Sequence, residues 1–161
     1  MLIRYKYLFI SLIFSVCFYT SCKNKKEENL TKTPVFKEEA GLSIVRGDST
    51  LIQLNIELAQ TEYEIQTGLM YRPSMLNNQG MLFIFPEAAP RAFYMKNTLM
   101  PLDIIFFDED STLVSIQHNA KPFNEASLPS EAPAQFVLEI NAGLSKAWQL
   151  QKGDKIYWQE N

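Results

Sequence analysis

Six polar residues stand inside apolar stretches of the chain: Arg72, Lys96, Asn97, Asp103, Glu139 and Asn141. Asp103 is flanked by Leu102, Ile104 and Ile105, and Glu139 lies between Leu138 and Ile140. A carboxylate taken out of water without a partner is costly, or is forced neutral. Arg72 and Lys96 are the natural counter-charges, so these cations and acids are expected to lie close together, with a cation in salt-bridge reach of Asp103. Two roles follow from such a cluster. Sealed in the core, it is an ion-pair network that fixes strand register. Open to solvent, it is a polar pocket, and all six residues are ligand-binding candidates. Asp103 and Glu139 also form the candidate catalytic pair of a carbohydrate hydrolase. A carboxyl separation of about 5–5.5 Å would suit a retaining glycosidase, and about 6.5–9.5 Å an inverting one.

Other chemistry-bearing residues point less far. Met70, Met75, Met81, Met95 and Met100 crowd into one stretch, and thioethers can ligate Cu(I). No compact Met-x-x-Met array is present, and three of them sit within apolar words, so core packing is expected. His118 is the one histidine. With no nucleophile motif to accompany it, a surface or strand-end position is expected rather than a Ser-His-Asp triad. Two cysteines without metal-ligand spacing give no zinc site. Neither cofactor nor metal is expected.

The amino terminus reads as an address. Arg4 and Lys6 precede an apolar run, Tyr7 to Thr20, that is short for a membrane span and suits a secretory signal. It ends in Ser21-Cys22, which resembles a bacterial lipobox, although Tyr19 replaces the usual aliphatic residue. Residues 1–21 are therefore expected to be a lipoprotein signal peptide, with Cys22 acylated and the protein lipid-anchored to a membrane of the bacterial envelope. Residues 22–41 are charged and poor in apolar side chains, which makes a disordered tether. Its Lys25-Lys26-Glu27-Glu28 run also resembles an export signal for surface display, the alternative to facing the periplasm.

Residues 42–161 remain for a single β-rich domain. From Asp48 onward there are 14 acidic residues and 7 Lys or Arg, a balance unsuited to phosphate backbones, so nucleic acid is not expected as a partner. Gly47-Asp48 separates two strand-like runs, and in the second Ile52, Leu54, Ile56 and Leu58 alternate with Gln53, Asn55 and Glu57. That pattern predicts a strand with one buried and one exposed face. Thr61 to Glu64 forms a capping box, and Gly68 can end the helix it starts. Further strands are predicted at 81–85, 92–96, 102–108, 113–117, 136–141 and 155–158, and a second short helix at 143–150. Absence of βαβ alternation predicts a mainly β fold, a compact β-sandwich or partly open barrel with two short helices. The stretch 121–134, with Pro122, Pro129 and Pro133, is expected to be an irregular binding loop or lid carrying Phe123 and Leu128.

Six words occur in order: G-L-M-Y-R (68–72), G-M-L-F-I-F-P (80–86), F-Y-M-K-N-T (93–98), P-L-D-I-I-F-F-D (101–108), F-V-L-E-I-N-A-G (136–143) and K-G-D-K-I (152–156). Together they resemble the domain of unknown function family 192, a bacterial and archaeal family met on secreted proteins and lipoproteins. The resemblance spans residues 43–158 and implies a compact β-rich fold, without an established reaction. Tyr94 stands where Trp is frequent, and 122–133 has no recognisable counterpart. The function expected is a non-catalytic envelope module that binds a glycan or another envelope protein. The alternative is the paired-carboxylate hydrolase.

Overall fold

The structure is a computed structural model that describes residues 34–161. The expected signal peptide, Cys22 and most of the expected tether lie outside the described residues. The elements in chain order are β1 (Ala40–Arg46), β2 (Ser49–Ala59), α1 (Glu62–Thr67), β3 (Gln79–Phe93), β4 (Leu102–Phe107), β5 (Leu113–Ala120), β6 (Leu128–Asn141), α2 (Leu144–Ala147) and β7 (Lys155–Glu160). β1 starts two residues ahead of the expected boundary, and Lys37 N–H already donates to Glu57 Oε1 at 2.8 Å.

All seven strands belong to one curled sheet in the order β5-β4-β6-β3-β2-β1-β7. Every pairing is antiparallel except β2 with β3. That parallel pair needs a crossover rather than a hairpin, and α1 with the loop 68–78 supplies it. The sheet curls until its edges meet. Leu113 N–H donates to Asp154 O at 2.7 Å, and Ile156 N–H to Ser111 O at 3.0 Å. Of the two expected architectures, this half-barrel is the partly open barrel, not a sandwich.

Two apolar clusters occupy the two faces of the sheet. One holds Leu42, Ile44, Leu54, Ile56, Leu82, Ile105, Phe107, Leu138, Ile140 and Ile156. The other holds Met81, Phe83, Phe85, Met95, Met100, Ile104, Phe106 and Val137. β4 is buried on both faces at every position, which is why it reads as a continuous apolar run instead of an alternating one. Met81, Met95 and Met100 are core side chains.

Two strand boundaries differ from expectation for one reason. Of the predicted strand 92–96 only residues 92 and 93 are strand, as the far end of β3, and half of the expected loop 121–134 is the start of β6. These two segments pair with each other, Pro90 opposite Pro133 and Ala92 opposite Pro129, across register shifts. Proline lacks the ladder donor but is tolerated at bulges and edges, so proline content alone misleads here. The bulge also bends β3 sharply. The rings of Phe83 and Phe93 touch edge to face with centroids 5.0 Å apart. A straight strand would hold residues ten positions apart at roughly 33 Å. The outer half of β3 therefore folds back over the second face of the sheet.

Candidate functional site

Cross-strand partners share a face of a sheet. The register places Glu57, Met81, Glu139 and Ile104 in one row across β2, β3, β6 and β4. This row lies on the second face, beneath α1 and the loop that follows it. The sequence pattern assigns Glu57 to an exposed face, yet it is 6% exposed because that loop covers it. Arg72 comes down from the loop and clamps Glu57 with two bonds, Nη1 to Oε1 at 2.7 Å and Nη2 to Oε2 at 2.5 Å.

Arg72 is thus occupied, and Glu139 lies two strands away. Among the described residues no donor or cation lies within bonding distance of its carboxyl. Glu139 is 5% exposed, and burial alone pushes its pKa up to about 8. Lys96, the other expected partner, is exposed and makes no ion pair among the described residues.

Asp103 is fully buried and, among the described residues, has no cation either, which corrects the expected salt bridge. Backbone and hydroxyl donors satisfy it: Asn119 N at 2.8 Å, Gly143 N at 2.9 Å, Ser145 N at 3.0 Å and Ser145 Oγ at 2.6 Å. It pairs in register with Ile140, on the face opposite Glu139. The two carboxyls point to opposite sides of the sheet, so they cannot flank one glycosidic bond, and the paired-carboxylate mechanism is removed. His118 Nδ1 lies 3.0 Å from Ser145 Oγ. Because that hydroxyl gives its proton to Asp103, Nδ1 is the donor, and the serine stands between His and Asp. In a triad the histidine stands in the middle and takes the serine proton. Asp103 therefore acts as a clamp on the α2 turn.

The remaining candidates hold loops in place. Asn141 Nδ2 donates to Met75 O at 2.8 Å and Asn77 Oδ1 at 2.9 Å, tying down the loop after α1. Asn97 adopts a left-handed φ of 56°, accepts from Tyr71 N–H at 2.9 Å and donates to Tyr71 Oη at 2.8 Å. The six residues do not form one cluster.

One of them, Glu139, lines a pocket of about 360 Å³ and lies at its base. Residues 65–70 form one wall and Pro90–Tyr94 of the folded-back strand the other, with Phe83, Phe85 and Thr98 between. The expected lid at 121–134 contributes no lining residue. Phe123 instead leaves its ring exposed, and its N–H donates to Thr98 O at 3.3 Å. Gly68, at φ +47°, is obligatory in this wall. A Cβ there would stand 2.9 Å from Phe83 Cζ and 3.7 Å from Glu139 Oε2. Arg91 lies at the rim, its guanidinium 4.0 Å from the centre of the Phe85 ring. Sequence reasoning found Glu139 and missed Arg91, Glu57 and Ser145. Arg91 sits in a proline-flanked stretch with no buried-charge signature, and only the fold of β3 brings it here.

The domain of unknown function family 192, described as an uncharacterized ACR, matches residues 43–158. The chain belongs to this family. A UPF0127 protein of Pyrococcus abyssi (strain GE5 / Orsay) is 33% identical over 91 residues, which are 52% of this chain and 73% of the relative. A crystal structure of a protein of unknown function from Novosphingobium aromaticivorans DSM 12444 is 36% identical, with a TM-score of 0.70 over 73% of this chain and 84% of that one. Another, of a "putative transcription regulator" from Sinorhizobium meliloti 1021, is 36% identical, with a TM-score of 0.72 over 78% and 97%. Within the family match, four of the six ordered words bear on the pocket: they supply Gly68 and Met70, Phe83 and Phe85, Tyr94 and Thr98, and Glu139.

Proposed function

We propose that the protein is an envelope lipoprotein anchored through Cys22, and that its DUF192 domain is a non-catalytic binding module whose ligand site is the pocket over Glu139. One observation carries the reading of the domain. A carboxyl that is 5% exposed and has no protein partner among the described residues faces an open, mostly apolar pocket. Buried polar groups in folded proteins are almost always paired, because leaving one unpaired forfeits stability. A carboxyl kept in that state and facing a cavity is best explained by a ligand that completes it. Exposed Tyr94 (44%), which lines the pocket, adds apolar contact area of the kind that binding surfaces use.

The catalytic alternative loses its second carboxyl, since Asp103 lies on the opposite face. The Sinorhizobium relative's description brings nucleic acid to mind, but 7 basic against 14 acidic residues from Asp48 onward offer no phosphate-binding face. The test uses the full chain in detergent with its methionine methyls labelled for NMR. A panel of envelope-derived glycans, muropeptide fragments and small amines is expected to contain a compound that moves the Met70 methyl, which lines the pocket, and leaves Met100 in place. Ala92→Trp, which fills the mouth, should abolish that response. A panel that moves no pocket methyl, or moves Met70 equally in Ala92→Trp, would overturn the assignment.

A further inference from the structure

We infer that the pocket takes an alkylammonium group, with its nitrogen on Glu139, its methylene stem against Phe83, Phe93 and Met70, and an anionic group at its far end on Arg91. The inference rests on the reading of the pocket as a binding site and adds the ligand class. Three features of the pocket select this chemistry. The base offers one carboxyl and no cation, so a cationic partner can pair with it once it has ionised. The walls include the rings of Phe83, Phe85 and Phe93 and the thioether of Met70, surfaces that accept methylenes and attract cations. The rim carries a cation that is already positioned. Arg91 Nε donates to Ala134 O at 3.2 Å and Nη2 to Glu87 O at 2.6 Å, while the Phe85 ring supports the guanidinium. Among the described residues Nη1 has no protein acceptor, which leaves it for a carboxylate at the mouth.

The charged groups near Glu139 leave its requirement unmet. Glu57 on β2 is neutralised by Arg72 from the loop, β4 presents Ile104, and the α1 wall contributes no ionisable group. Arg91 is the one other charged side chain lining the pocket. Its charge does not figure among the causes of the raised pKa of Glu139, which is due to desolvation. The two ends of the pocket therefore act on separate parts of a ligand. Binding of an ammonium group to the ionised carboxyl must expel the proton that Glu139 holds below about pH 8.

The experiment compares 6-aminohexanoate, hexylamine, hexanoate and 1-hexanol by calorimetric titration of the full chain in detergent, with the Met70 methyl as the locator. We expect 6-aminohexanoate to bind best, hexylamine more weakly, and hexanoate least. Affinity for both amines should rise roughly tenfold per pH unit below about 8 and level off above it, with the released proton seen as a buffer-dependent heat. Glu139→Gln should weaken the amines at least tenfold and keep its fold by circular dichroism. Arg91→Gln should remove the preference for 6-aminohexanoate over hexylamine. If hexanol or hexanoate moves Met70 as strongly as the amines, or if Glu139→Gln binds amines unchanged, the ligand class is wrong while the pocket remains a binding site. If no compound of this set or of the wider panel moves Met70, the binding-site reading fails with it.

Discussion

Glu139 and Asp103 have the same apolar surroundings in sequence and opposite fates in the fold. Asp103 accepts from three backbone N–H groups and one hydroxyl, so Asp103→Ala strands buried donors and should cost about 3 kcal/mol or more, read as a fall in the denaturation midpoint. Glu139 behaves in the reverse way. Its folded pKa of about 8 lies above the ordinary 4.5, so the native state holds the proton more tightly than the unfolded chain does. That preference is fully expressed below about pH 4.5 and is lost as pH rises through 8. Glu139→Gln cannot ionise, and it should therefore be more stable than the natural protein above pH 8, by up to ~5 kcal/mol. Chemical denaturation at pH 5 and pH 9 would show the gap opening. That both acids are buried was legible from their neighbours. Their partners were not, because Asp103 is satisfied by backbone amides, which any sequence carries, and the partner expected for Glu139 is held by Glu57.

At the scale of elements, Gly68 links α1 to the pocket. It ends the helix through its N–H to Glu64 O at 2.7 Å and turns the chain at φ +47° directly over Phe83. Gly68→Ala demands both a strained backbone and displacement of the Phe83 ring, so it should lower stability by about 1–3 kcal/mol. Because the added methyl also points toward Glu139, the Met70 methyl resonance should move without any ligand. The capping box at Thr61 and Glu64 was readable because it is local chemistry, and the alternation of β2 was readable because one face meets the barrel interior. The bend of β3 was not readable. Four prolines, Pro86, Pro90, Pro129 and Pro133, argue against strands, and the pairing that rescues them joins segments about forty residues apart. With that bend went the second wall of the pocket, which explains why residues 90–94, and not the loop expected at 121–134, line it.

Across the whole molecule, a curled sheet buries its two faces in different ways. One face closes into the barrel interior, with its edges stitched at residues 111–113 and 153–156. The other is covered by the segment after α1 and by the folded-back ribbon, and the pocket lies where these two covers meet. The fold class and the family were legible because hydrophobic pattern and ordered words are spread along the chain. A site built from residues 68–70, 91–94 and 139 exists only after folding. The proposed anchoring has its own test. Cells fed a fatty-acid analogue should label the natural protein and not Cys22→Ala, and labelling that persists in the variant would remove the lipid anchor. Among the described residues Glu139 stands without a protein partner beneath an open pocket. Carbon-13 labelling of the glutamates, with the resonance assigned through Glu139→Gln, reads its titration directly. A midpoint near 8 in the ligand-free protein is the predicted result, and a midpoint of 4 to 5 would show a solvated or paired carboxylate and contradict the account.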